Sequence, residues 1–97
     1  MRIVGRSRLV EFWKEHPDSK RMLEAWFAEA QRAQWANPGQ LKAQYGTASI
    51  LKRRRAVFNI CANKYRLVVE VEFSQQIVLV KFIGTHKAYD AIDVETI

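Results

Sequence analysis

The sequence predicts an α+β domain, with two N-terminal helices packed on a small antiparallel sheet of three to four strands. Three observations predict it. Up to Ala33, apolar residues recur at spacings of three and four, the period of a helix face. From Ala56 onward the period becomes two, as in a strand with one buried face. Only a few turn residues separate the strand-like runs, so neighbouring strands must run antiparallel. The chain has 97 residues, 48% of them hydrophobic, which suits a single domain spanning 1–97 with one core.

Met1 to Gly5 reads as a short strand or a tail. Ser7 can cap a first helix that runs to about His16, because Pro17 disfavours helical geometry in the residue before it. Leu9, Phe12 and Trp13 give this helix its apolar stripe. Asp18 or Ser19 can cap a second helix carrying Leu23, Trp26, Phe27, Ala30 and Ala33 at helical spacing. Asn37-Pro38-Gly39 reads as its stop. Leu41 and Tyr45 allow a short helical turn before Gly46.

In the first strand, Ala56, Phe58 and Ile60 share one side, with Val57, Asn59 and Cys61 on the other. Ala62-Asn63-Lys64 reads as a tight turn, since Asn tolerates positive φ. Tyr65, Leu67, Val69, Val71 and Phe73 then alternate with Arg66, Val68, Glu70 and Glu72, the clearest strand in the chain. After Ser74-Gln75-Gln76, the run Ile77–Ile83 is apolar except for Lys81 and reads as a central strand covered on both faces. Gly84 reads as its break.

The formal net charge is +6, which favours nucleic acid, an anionic membrane surface or an acidic protein as partner. The single Cys61 excludes an internal disulfide, and with two His it makes a poor zinc set. The N-terminus carries charges at Arg2, Arg6, Arg8 and Glu11 and lacks the apolar core of a signal peptide. No run is long enough to cross a bilayer. The simplest expectation is a soluble cytoplasmic protein with no cofactor and no metal.

Candidate chemistry gathers between Lys52 and Asp90. His86 follows Gly84-Thr85 in a polar segment, where an imidazole can exchange protons near neutral pH. The plainer reading is a loop histidine with an ordinary hydrogen bond. Arg66 stands on the polar face of a strand, where a guanidinium can grip a phosphate, or else form a surface salt bridge. Tyr89 shares a side with His86 if the segment is helical. It could stack on a base, act in proton transfer, or close the end of the core. The run Lys52-Arg53-Arg54-Arg55 could track an RNA backbone or be a solvated segment. Lys64 and Lys87 add cations nearby, and Lys81, set in an apolar strand, must reach solvent, a partner or a site. This set suits a metal-free ribonuclease, which needs a base, an acid and cations around the developing charge. A non-catalytic RNA- or ribosome-binding module, or a domain that meets an acidic protein, would share the charge without needing His86.

Phe58-Asn59-Ile60, Asn63-Lys64-Tyr65-Arg66-Leu67-Val68-Val69 and Gly84-Thr85-His86-Lys87-Ala88-Tyr89-Asp90, in this order and spacing, resemble the HigB family of toxins. These belong to type II toxin–antitoxin systems within the RelE-like group. The likeness extends to Pro38 and Leu41-Lys42 and covers most of the chain. It implies a RelE-like fold and an mRNA interferase that cuts translated messages in the ribosomal A site. It also implies a cognate HigA-type antitoxin with a helix-turn-helix domain. Arg66, His86 and Tyr89 stand at places matching the family's strand arginine and C-terminal His or Tyr. No glutamate base stands at a matching place. Glu70 shares a strand face with Arg66 and is the nearest substitute.

Overall fold

A computed structural model describes residues 1–97. Its elements in order are β1 (Arg2–Val4), α1 (Arg6–Glu15), α2 (Lys20–Arg32), α3 (Pro38–Gln44), β2 (Ser49–Ile50), β3 (Arg55–Ile60), β4 (Tyr65–Glu72), β5 (Ile77–Thr85) and α4 (His86–Asp90). A short 3-10 turn, Pro17–Ser19, joins α1 to α2. The strands form one sheet in the order β1-β5-β4-β3-β2. Four of them run antiparallel in sequence, and β1 joins the β5 edge in parallel, with Ile3 opposite Val78. The parallel edge is possible because α1 and everything after it lie between the two strands, giving the long crossover that such pairing requires.

The sheet has two faces. On one, Ala56, Phe58, Ile60, Tyr65, Leu67, Val69, Val71, Val78 and Val80 meet Leu9 and Trp13 of α1 and Leu23, Trp26 and Ala30 of α2. Leu23, Leu67 and Val69 are wholly buried, and each contributes about 1.5–3 kcal/mol of burial free energy. The opposite face carries Arg55, Val57 and Asn59 of β3 beside Arg66, Val68 and Glu70 of β4. Val57 and Val68 are buried there outside the main core. No helix is long and apolar enough to cross a membrane.

The architecture matches the α+β expectation, with two further helices and a five-stranded sheet where three to four strands were expected. The two-residue β2 is too short for a period to show. Gly5, not Ser7, occupies the N-cap of α1, at φ 101°. Only a glycine takes that conformation easily, and a Cβ there would come within 3.0 Å of Val80 Cβ. Ser19 is the N-cap of α2, but its hydroxyl donates back to the His16 carbonyl at 2.7 Å.

Asn37-Pro38-Gly39 starts α3 and does not stop α2. The Asn37 side chain accepts from Gln40 N at 3.0 Å, and Pro38 fits the first turn, where its missing N–H costs nothing. Trp35, buried in the α2–α3 connection, donates from Nε1 to Gln44 at 2.9 Å. In the β3–β4 turn, Cys61 and Ala62 carry the positive φ, not Asn63.

β5 also differs from the expectation. Gly84 does not end it; the strand continues to Thr85. Nor is the strand covered equally on both faces, since Leu79, Lys81 and Phe82 keep part of their surface. Its register shifts between Val68 and Val69, where Val68 faces Phe82 and Val69 faces Val80. Lys81 is the unpaired bulge residue, and the extra residue sends it to the polar face without breaking the apolar alternation.

Candidate active site

One end of the sheet brings together the Cys61–Lys64 turn, the start of β4 and α4. Arg66 lies between Asn59 on β3 and Gly84 on β5, on the face away from α1 and α2. Its Nη1 donates to the Asn63 carbonyl at 3.2 Å, and its Cζ sits 5.9 Å from the Tyr89 ring centroid. A cation over a half-buried aromatic such as Tyr89 contributes about 1 kcal/mol. Its greater effect is to hold the guanidinium at a fixed place.

α4 begins directly from β5. Thr85 caps it, its hydroxyl oxygen accepting from Ala88 N at 3.1 Å. The His86 backbone N–H donates to the Lys64 carbonyl at 3.3 Å, tying α4 to the turn. The His86 side chain is 52% exposed, and its Nδ1 lies 3.1 Å from Asp90 Oδ2. Tyr89 stands outside the main core, against Arg66. The structure therefore joins Arg66 to Tyr89 by contact, and places His86 one turn before Tyr89 on α4.

Lys64 sits beside this group with its Nζ bound to Asp18, whose other oxygen accepts from the Tyr65 hydroxyl at 2.7 Å. The Lys64 hydrogen bond, then the Tyr65 hydrogen bond, hold the Asp18 carboxyl below its ordinary value. The same Asp18 bond raises Lys64. Lys87 is exposed on α4.

The basic run at residues 52–55 is divided. Lys52, Arg53 and Arg54 are exposed in a turn where Arg53 and Arg54 take φ 58° and 59°. Arg54 pairs with Glu72. Arg55 departs from the expectation of an exposed phosphate ligand, because it is 8% exposed. It pairs with Glu70 at 3.0 Å and donates to the main-chain oxygens of Ile97 at 2.6 Å and Arg53 at 3.0 Å. Lys81 reaches the same Glu70 oxygen at 3.6 Å. Glu70 is thus held between two cations and is not a free carboxylate beside Arg66.

Arg54 O accepts from Val71 N, so the exposed run meets β4 at the end opposite Arg66. At about 3.3 Å per residue, Arg66 and Val71 are ~16 Å apart along the strand. The run and Arg66 therefore address different parts of any extended ligand. Two further acids belong to this end of the sheet: Asp90, and Asp18, which the sequence offers only as a helix cap. Asp90 had a signal, standing four residues after His86 in a helical segment. Asp18 had none, since its partners lie in a different part of the chain. None of the four surface cavities is bordered by Arg66, His86 or Tyr89, so the group faces open surface.

A basic α+β domain with a guanidinium, an imidazole and a phenol on an open sheet end has the groups to receive a phosphate-bearing polymer. The family model HigB_toxin, described as the RelE-like toxic component of a toxin-antitoxin system, matches residues 19–92, and the chain belongs to that family. The match runs from α2 through α4 and so takes in Arg66, His86 and Tyr89. Membership implies an antitoxin partner. No curated protein matches the chain.

Proposed function

We propose that this single-domain chain is a cytoplasmic, metal-independent mRNA interferase that cuts translated mRNA in the ribosomal A site. We further propose that a HigA-type helix-turn-helix antitoxin neutralises it. The observation that carries this reading is the Arg66 guanidinium held against Tyr89 beside the half-exposed His86.

In the reaction, the RNA 2′-oxygen bonds to the adjacent phosphorus and the P–O5′ bond breaks. The 2′-hydroxyl proton passes to a base, and an acid gives a proton to the leaving O5′. Arg66 is placed to accept the negative charge that builds on the non-bridging oxygens. His86 is the group suited to proton transfer. Tyr89 offers a ring face for a base or a hydroxyl for a phosphate oxygen. Lys87 flanks the reacting phosphate, Lys52 and Arg53 hold backbone further along, and Lys64 and Arg54 are tied to Asp18 and Glu72. Arg55 and Lys81, engaged with Glu70, serve the sheet instead.

Regulated expression of His86→Ala and Arg66→Ala, each at wild-type protein level, tests the reading. Both are expected to relieve growth arrest and to abolish new RNA 5′ ends within codons. Growth arrest without new ends would instead indicate a non-catalytic RNA- or ribosome-binding module. Full toxicity from both variants refutes the site.

A further inference from the structure

Asp90 has no part in the site as the sequence presents it, and its only polar side-chain partner in the structure is His86. His86, Tyr89 and Asp90 stand at helical positions i, i+3 and i+4, so all share one side of α4. Both ends of this short helix are pinned. Thr85 caps its start, and the His86 N–H bonds to Lys64 O. Ala91 and Ile92 N–H close its end on Ala88 and Tyr89 carbonyls, each at 3.2 Å. Helix energetics give no reason for an acid at Asp90, because negative charge at a helix C-terminus is unfavourable.

We infer that Asp90 is a positioning residue that turns His86 so that Nδ1–H donates to its carboxylate and Nε2 faces outward as the proton-exchanging atom. A neutral imidazole carries its proton on either nitrogen, and an acceptor beside one nitrogen selects that tautomer. With Nδ1 3.1 Å from Asp90 Oδ2, Nε2 is the nitrogen that this half-exposed ring has left for substrate. The carboxylate also balances the positive charge that His86 gains on taking a proton. This supplies the missing acidic component: Glu70 is held by Arg55 and Lys81, whereas Asp90 acts through the imidazole. The catalytic consequence rests on the ribonuclease reading above, but the orientation is a property of the free protein.

Two measurements test it. Long-range ¹H–¹⁵N spectra of the neutral imidazole are expected to show His86 with Nδ1 protonated in the wild type. In Asp90→Ala the pattern shifts toward protonated Nε2, with His16, stacked on Phe12 at 4.3 Å, as the unchanged control. Asp90→Asn, whose amide oxygen still accepts, keeps the wild-type tautomer. On translating ribosomes, Asp90→Ala is expected to lower the cleavage rate constant about tenfold with KM unchanged, against a loss of ~10²–10⁴ for His86→Ala. Identical His86 spectra in the wild type and Asp90→Ala overturn the inference, as does full cleavage by Asp90→Ala where His86→Ala is inactive. A tautomer shift in a protein that never cleaves RNA upholds the positioning role and removes the ribonuclease reading instead.

Discussion

Arg55→Ala separates a structural cation from an RNA-binding one. The side chain is almost fully buried and makes three polar contacts: the Glu70 carboxylate and the main-chain oxygens of Ile97 and Arg53. A hydrogen bond from a charged donor contributes about 1.5 kcal/mol, but water can reach both carbonyls after truncation, so the two together lose about 1.5 kcal/mol. The ion pair is discounted, because Glu70 is 27% exposed and keeps Lys81 at 3.6 Å. It adds about 1 kcal/mol. The sum is about 2.5 kcal/mol, which for a chain of this size lowers the melting midpoint by about 10–20 °C. Thermal and urea unfolding followed by circular dichroism measure it. Lys52→Ala and Arg53→Ala, both at exposed positions, are the controls and stay within about 0.5 kcal/mol of wild type. If Arg55→Ala melts within a few degrees of wild type yet binds RNA more weakly, the structural assignment of Arg55 is refuted.

Gly84→Ala places a Cβ 2.5 Å from Phe82 Cζ, so this partly exposed ring must swing aside, and urea unfolding should show a loss of about 1 kcal/mol. An unchanged midpoint would mean that Phe82 does not lie over Gly84. For Asp18, the carboxyl is depressed from its ordinary 3.8 by hydrogen bonds from Lys64 and then Tyr65. Stability from a depressed acid is present above the unfolded pKa and is lost as pH falls through the folded value. Asp18→Asn should therefore be less stable than wild type at pH 7, with the gap closing in the acid limb. A gap that persists unchanged to pH 2 would assign the effect to something other than ionisation.

The long periods in this sequence were readable because each is repeated many times. The alternation from Tyr65 to Glu72 and the stripe from Leu23 to Ala30 correctly named the residues that meet in the core. Short or nonlocal features were not readable. β1 and β2 have three and two residues, too few for a period to show, and β1 is held by pairing with the distant β5. Asn37-Pro38-Gly39 carries a stop and a start signal at once, and the Asn37 side chain bonded to Gln40 N decides for a start. Within the site, local sequence brought His86 and Tyr89 to one helical turn. The meeting of Arg66 with Tyr89 depends on the β4–β5 register, which turn residues alone do not set. A run of four cations gave no hint that the last of them, Arg55, turns inward. That follows from strand parity, which starts at Arg55 and puts it on the face with Glu70.

The β4–β5 register explains why the proposed chemistry sits at one end of the sheet and the neutralised charges toward the other. Without a bulge, strict alternation would carry through β5 from Val80, and Ile83 and Gly84 would exchange faces. The shift at Val68/Val69 absorbs one residue, Lys81, and keeps Val78, Val80 and Ile83 all directed at the main core. It also leaves Gly84, not a side chain, opposite Arg66. Lys81 is spent on Glu70, which already holds Arg55, so the half of this face away from Arg66 is an internally balanced cluster. Past the bulge, Arg66 has only a carbonyl and an aromatic ring as partners, and neither carries a compensating negative charge. A guanidinium held in place but not neutralised keeps its attraction for an incoming phosphate. The same bulge that preserves the core therefore separates, on this face, the cations paired with Glu70 from Arg66, which has no acidic partner.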